Sequence, residues 1–278
     1  NIFSNCDIGS VSSNASVTYW NNDFEHIKRD AQNINLIPYS GAIQSSNTSH
    51  YNGSFINIGN STNPFLARNT FNSCMNSIQI DDEAAVNIIS NHFDELLSSQ
   101  PIDDENANDI SINNLSNSVV NIIGNKFRYV NLGVHFYNVL NSNSINIKDN
   151  FFNIEQIPSK YGDFTNSAIV FNNPLNNYNT YVNIENNEVN YLRRAVYAAK
   201  QDHITIKNNP SISLSYNAPL PSVHPTIGIE LKECFNFSVK DNIITKSMYT
   251  SGLNEKVTGI KLTNATGGFV GCNNISNT

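Results

Sequence analysis

Short runs of alternating apolar and polar residues return along this chain in nearly one form. VNIIGNKF (120–127), INIKDNFF (145–152), VNIENNEV (182–189), ITIKNNPS (204–211) and FSVKDNII (237–244) share the pattern apolar-x-apolar-x-x-Asn-x-apolar. VTYWNNDF carries it with Asn22 and VNIISNHF with Asn91, while FLARNTF (Asn69) and FVGCNNI (Asn273) are weaker copies. Asn209 is also irregular, because Pro210 follows it and Ser211 takes the apolar slot. Alternation with period two marks strands whose successive side chains face opposite ways. From Asn69 onward the anchors are separated by 22, 34, 25, 37, 22, 33 and 31 residues. Helical repeats keep a nearly fixed length, whereas a coil of short strands tolerates loops of any length between them.

A second family of short strands lies between the anchors. It comprises GAIQ (41–44), SIQI (77–80), DISI (109–112), GVHF (133–136), AIVF (168–171), AVYA (195–198), GIEL (228–231) and GIKL (259–262). A third strand is expected to overlap the Asn-x-Phe segment, giving three per turn. YLRRAVYAAK (191–200) is the nearest approach to a helix pattern, but its register follows the strand family. The pattern therefore predicts an all-β, right-handed parallel β-helix of roughly nine to ten turns, stacked about 4.8 Å apart. Stacking pairs the backbone of every turn with its neighbours and leaves sheet edges only at the two ends.

The anchors have a physical reason on this reading. Asn tolerates a left-handed backbone and bonds locally, which suits a sharp corner. Stacked in one column, Asn91, Asn125, Asn150, Asn187, Asn209, Asn242 and Asn273 are expected to form an amide ladder. Two places later, Phe93, Phe127 and Phe152 are expected to stack inside. Asn87, Asn121, Asn146 and Asn183 alternate with inward residues and are expected to form a second, outer ladder.

Composition adjusts this picture modestly. Asn occurs 51 times, which in a charge-poor chain could mark a disordered tract, but Ile, Val, Phe and Tyr are spread evenly through it. The net charge of -7 argues against a nucleic-acid partner, and no apolar run is long enough for a membrane-spanning helix. Cys6, Cys74, Cys234 and Cys272 lack zinc-ligand spacing and leave room for a disulfide whose pairing the spacing does not fix. NIFSNCDIGS lacks an initiator Met and GCNNISNT stops inside a repeat, so residues 1–278 are expected to be one β-helix domain cut from a longer chain. No cofactor is indicated. The acidic clusters DDE (81–83) and DDEN (103–106) offer oxygen ligands for Ca²⁺, although solvated loop charge is the simpler reading.

The recurring V-x-I-x-x-N-x-F and G-I-x-L segments, from about residue 15 to 276, resemble the parallel β-helix repeats of the pectate-lyase-like superfamily. That resemblance implies the fold and leaves activity open, since the superfamily spans polysaccharide lyases, hydrolases, uronate epimerases, tailspikes and passive adhesins. An enzyme of this kind is expected to work on the outward face of one sheet. Here the outward column of the G-I-x-L strands would be Gln44, Gln79, Ser111, His135, Val170, Tyr197, Glu230 and Lys261, with Arg193 and Arg194 nearby. A lyase or epimerase needs a base, for which Tyr197 and Lys261 are candidates. It also needs a cation to neutralise the uronate carboxylate, for which Arg193 or Arg194 would serve. His135 and Glu230 complete the candidates, although Glu230 and Lys261 would equally form a plain cross-strand ion pair. The bland outward columns and low charge favour the other expectation, a non-catalytic secreted or cell-surface adhesin or stalk. It would present loops to polysaccharides, surface glycans or other cell-surface proteins.

Overall fold

The computed structural model describes residues 1–5, 8–25, 27, 41–47, 54–60, 68–72, 74, 76–94, 108–128, 132–140, 143–153, 167–176, 179–214, 226–246 and 257–276. Among these residues there is no helix. The strands run from β1 (Ile2–Ser4) to β28 (Asn274–Ser276) and form three all-parallel sheets, each taking every third strand. Sheet A holds ten strands and sheets B and C nine each, stacked in sequence order. One turn shows the plan: β13 (Lys126–Arg128) lies in sheet A, β14 (Leu132–Tyr137) in sheet B and β15 (Ser144–Lys148) in sheet C. The fold is a parallel β-helix. YLRRAVYAAK divides between β19 (Glu188–Leu192) and β20 (Arg194–Ala199).

The core is a set of columns. Phe3, Phe24, Phe71, Phe93, Phe127 and Phe152 stack one per turn, with ring centroids 4.5–5.1 Å apart. Val189, Ile212 and Ile244 continue that column. Ile145 and Ile147 of β15 are wholly buried, with Asn146 between them facing out. The Gly of G-I-x-L also has a steric reason. A Cβ on Gly133 would stand 2.7 Å from the Ala168 carbonyl and 2.8 Å from the Phe152 ring. Strand pairing skips this residue, joining Leu132 to Ser167 and then Val134 to Ile169.

The anchor asparagines turn the corner from sheet C into sheet A. From Asn22 to Asn242 each is buried, and each amide donates to the Oδ1 of the next anchor at 2.7–3.3 Å; Asn273, at the end, is half-buried. That Oδ1 also accepts the donor residue's own backbone N–H, at 2.8–3.2 Å. The second amide N–H reaches a sheet C carbonyl of the preceding turn, as Asn125 does to Ile88 at 2.9 Å. Asn1 heads the ladder, donating to Asn22 Oδ1 at 2.9 Å.

The left-handed backbone sits elsewhere than the sequence suggested. It falls on the residue before the anchor, as at Asn21, Ser90, Gly124, Asp149, Asn186, Asn208, Asp241 and Cys272. The anchor keeps an ordinary backbone and supplies the inward amide, so one corner divides its two tasks between neighbours.

The outer ladder joins Asn57, Asn87, Asn121 and Asn146 at 2.8, 2.9 and 3.1 Å. Asn183 is in register with Asn146 but turns its amide to the Glu185 carboxylate at 3.2 Å. A nearby anion is the stronger acceptor, so the amide leaves the ladder there.

Variable length is concentrated at one corner. The long segments 94–108, 153–166, 211–226 and 246–257 all lead from sheet A to sheet B, and 172–181 leads from sheet B to sheet C. PSKYGDF (158–164), SYNAPLPSVHP (215–225) and DDEN (103–106) lie outside the described residues.

Candidate functional site on the outward face of sheet B

The predicted outward column exists. Gln44, Gln79, Ser111, His135, Val170, Tyr197, Glu230 and Lys261 pair in unbroken register from turn to turn. It is less open than a substrate groove would require: Val170 is 0%, Glu230 7% and Ser111 9% exposed.

Four of the six candidate side chains converge. Glu230 Oε2 meets Arg194 Nη2 at 3.0 Å, and its Oε1 accepts from Lys261 Nζ at 2.8 Å. Arg194 starts β20, three residues before Tyr197, and its guanidinium carbon lies 5.0 Å from the Tyr197 ring centroid. One carboxylate thus draws in two cations, and one of those cations covers the phenol. Burial raises the Tyr197 pKa, and the Glu230 carboxylate raises it further. A phenol in that setting keeps its proton.

The other two candidates stand apart. Arg193 sits in the bend between β19 and β20, where its carbonyl accepts the Ile227 N–H at 2.9 Å. His135 is two turns from Tyr197, with Val170 between them. Burial lowers its pKa from 6.5 to about 4, leaving a neutral imidazole.

The acidic cluster DDE is not solvated loop charge. Asp81 accepts from Asn114 Nδ2, while Asp82 and Glu83 are buried at the corner leading to sheet C. Glu83 accepts from Ser45 Oγ at 2.6 Å, and Ser45 in turn accepts from Ser12 Oγ at 2.8 Å. Among the described residues, no group of three His, Cys, Asp or Glu side chains is placed to hold a metal ion. Cys74 and Cys234 are buried and Cys272 is exposed, while Cys6 lies outside the described residues. Burial pushes the Cys234 thiol up to about 11.

Two charged sets were not singled out from the sequence. On sheet A, His92 Nε2 lies 3.4 Å from Arg68 Nη1, and Arg128 pairs with Asp94 at 3.4 Å. Burial, followed by the charges of Arg68, Lys126 and Arg128, lowers the His92 pKa from 6.5 to about 4. On sheet C, Glu185 lies 3.4 Å from both Lys148 and Lys207. Both sets fall at fixed offsets from the anchor asparagines, so outward columns drawn for all three sheets would have found them. At the corner from sheet B to sheet C, Asp202 meets His203 at 2.8 Å and accepts from Asn236 at 2.9 Å.

No protein-family model matches the chain, and comparison with curated proteins and with solved structures returns no match.

Proposed function

We propose that the protein is a non-catalytic β-helix of a secreted or cell-surface protein, acting as an adhesin or stalk that holds glycans or protein partners. One observation carries this reading: the convergent charged group on the outward column satisfies itself. Glu230 engages both Arg194 and Lys261, so neither cation is left to neutralise a substrate uronate. The neighbouring phenol is pushed away from the range in which a base works. Loops of uneven length gathered at one corner suit display, because a rigid solenoid fixes their origins while their composition varies.

A second reading has its own support. Arg194, Tyr197, Glu230 and Lys261 do meet on one face, and their two cations outnumber their single carboxylate. That is the minimum equipment of a lyase or epimerase acting on an acidic polysaccharide.

Incubation with pectate, alginate and glycosaminoglycans, with and without Ca²⁺, separates the two readings through the absorbance of unsaturated uronide, the product of a lyase, and the proton NMR of the recovered uronate, which reports an epimerase. The proposed function expects no product from the folded chain. Product that disappears in Tyr197→Phe or Lys261→Ala would establish the enzyme instead.

A further inference from the structure

Sheet C carries an outward face that divides sharply along the solenoid. Its strands β3 (Val17–Tyr19), β6 (Phe55–Gly59), β9 (Ala85–Ile89) and β12 (Val119–Ile123) contain no charged side chain. From β15 onward the same face becomes charged, with Lys148, Glu185, Lys207 and Lys240 aligned in one column.

The uncharged half has a regular chemistry. Asn57, Asn87 and Asn121 run up its centre, half-exposed, as the outer amide ladder, which ends on Asn146 of the first charged strand, β15. Within that ladder Asn87 and Asn121 each give one N–H and accept one bond. A primary amide has two N–H groups and two oxygen lone pairs, so a donor and an acceptor remain on each. Apolar side chains flank the ladder. Trp20 follows β3 on one flank and is 54% exposed, with Ile89 and Ile123 half-buried on the same side. Phe55 and Val119 stand on the other flank, 38% and 47% exposed.

We infer that this half of sheet C is a binding face for a linear, neutral, hydroxyl-rich glycan. The inference rests on the glycan part of the proposed function and names its ligand class and location. Sugar hydroxyls both donate and accept, as the outward amides do. The C–H faces of sugar rings pack on exposed aromatic and aliphatic side chains. The ladder repeats once per turn, at about 4.8 Å, so its best partner is itself a repeating polymer. An uncharged face in a chain of net charge -7 gives a polyanion no counter-charge. Strands β6, β9 and β12 already pair with the turns above and below, so an added peptide strand finds no free edge across the face; only β3, which ends the sheet, has an unpaired side.

The test is calorimetric titration with neutral oligosaccharides (β-linked glucose, xylose and N-acetylglucosamine oligomers, and α-linked mannose) beside alginate oligomers. Trp20→Ala and Val119→Lys change exposed side chains, and an unchanged melting temperature would show each variant folded. The expected result is binding of at least one neutral oligomer, weakened about tenfold in each variant. Lys240→Ala, on the charged half, should bind as the parent does. Neutral binding that survives both variants would overturn this face and leave the glycan reading standing, as would binding of alginate alone. No binding by any oligosaccharide would overturn the face and the glycan reading together.

Discussion

Replacing Asn125 with Ala probes the corner ladder at its middle. The side chain is 0% exposed. Its Oδ1 accepts the Asn91 backbone N–H at 2.9 Å and the Asn91 amide at 3.1 Å. Its Nδ2 donates to Asn150 Oδ1 at 3.0 Å and to the Ile88 carbonyl at 2.9 Å. Alanine removes these four bonds, together with a longer one to the Ile123 carbonyl at 3.3 Å, and strands two buried donors of Asn91. Each stranded buried group costs about 1–3 kcal/mol, so the expected loss is about 3–5 kcal/mol. At about 2 °C per kcal/mol for a chain of this size, the melting temperature should fall by about 6–10 °C. The comparison is Asn121→Ala in the outer ladder, which loses two half-exposed bonds and should cost about 1 kcal/mol. Thermal denaturation followed by circular dichroism reads both variants. An Asn125→Ala shift no larger than that of Asn121→Ala would refute burial of the amide as the source of the ladder's stability.

Further predictions concern packing, charge and pH. Phe127→Ala empties the middle of the ring stack and should cost about 3–5 kcal/mol in denaturant unfolding. Glu230→Ala leaves the nearly buried Arg194 without its carboxylate and should cost about 3 kcal/mol, whereas Lys261→Ala, at a more exposed position, should cost under about 1 kcal/mol. Equal losses from those two would contradict the central place given to Glu230. His92 and His135 have folded-state pKa values of about 4 against an ordinary 6.5. The unfolded chain therefore binds more protons between those values, and stability should fall as the pH drops from 6.5 toward 4. Imidazole proton resonances that titrate near 6.5 would contradict this. Burial opposes the charge on Glu185, but bonds from Asn183, Asn208, Lys148 and Lys207 outweigh it and lower the pKa from 4.5 to about 2. Its contribution should be present above pH 4.5 and lost as the pH falls through about 2; carboxyl carbon shifts that titrate near 4.5 would count against it.

The parts of the molecule legible from the sequence are those that repeat. Alternation in VNIIGNKF reveals inward Ile and outward Asn, because a strand has only two faces. The fixed offset from Asn to Phe predicts both the ladder and the ring stack, since every turn obeys one steric template. The template did not disclose which residue of the corner is left-handed. Asp149 and Asn150 are both tolerant of that geometry, and only burial of the amide separates their tasks. Asn183 looked identical to Asn146, and its partner Glu185 becomes decisive only with the side-chain geometry in view. The column from Gln44 to Lys261 followed from alternation alone. Arg194 was harder, because its guanidinium reaches across the Tyr197 ring to a carboxylate one turn on, and such a reach is not periodic. Glu83 was misjudged as solvated because a cluster of acids suggests a surface, whereas the corner after Asp82 turns the next side chain inward.

Recovery of bound glycan in unchanged form tests the central claim most directly. The folded chain would be equilibrated with neutral and acidic oligosaccharides, and the bound fraction analysed by mass spectrometry and carbohydrate NMR. A non-catalytic β-helix predicts ligand that is retained and returned with its mass and stereochemistry intact. Shortened, unsaturated or epimerised sugar, formed by the parent chain and absent with Tyr197→Phe, would contradict it and make the outward column of sheet B an active site.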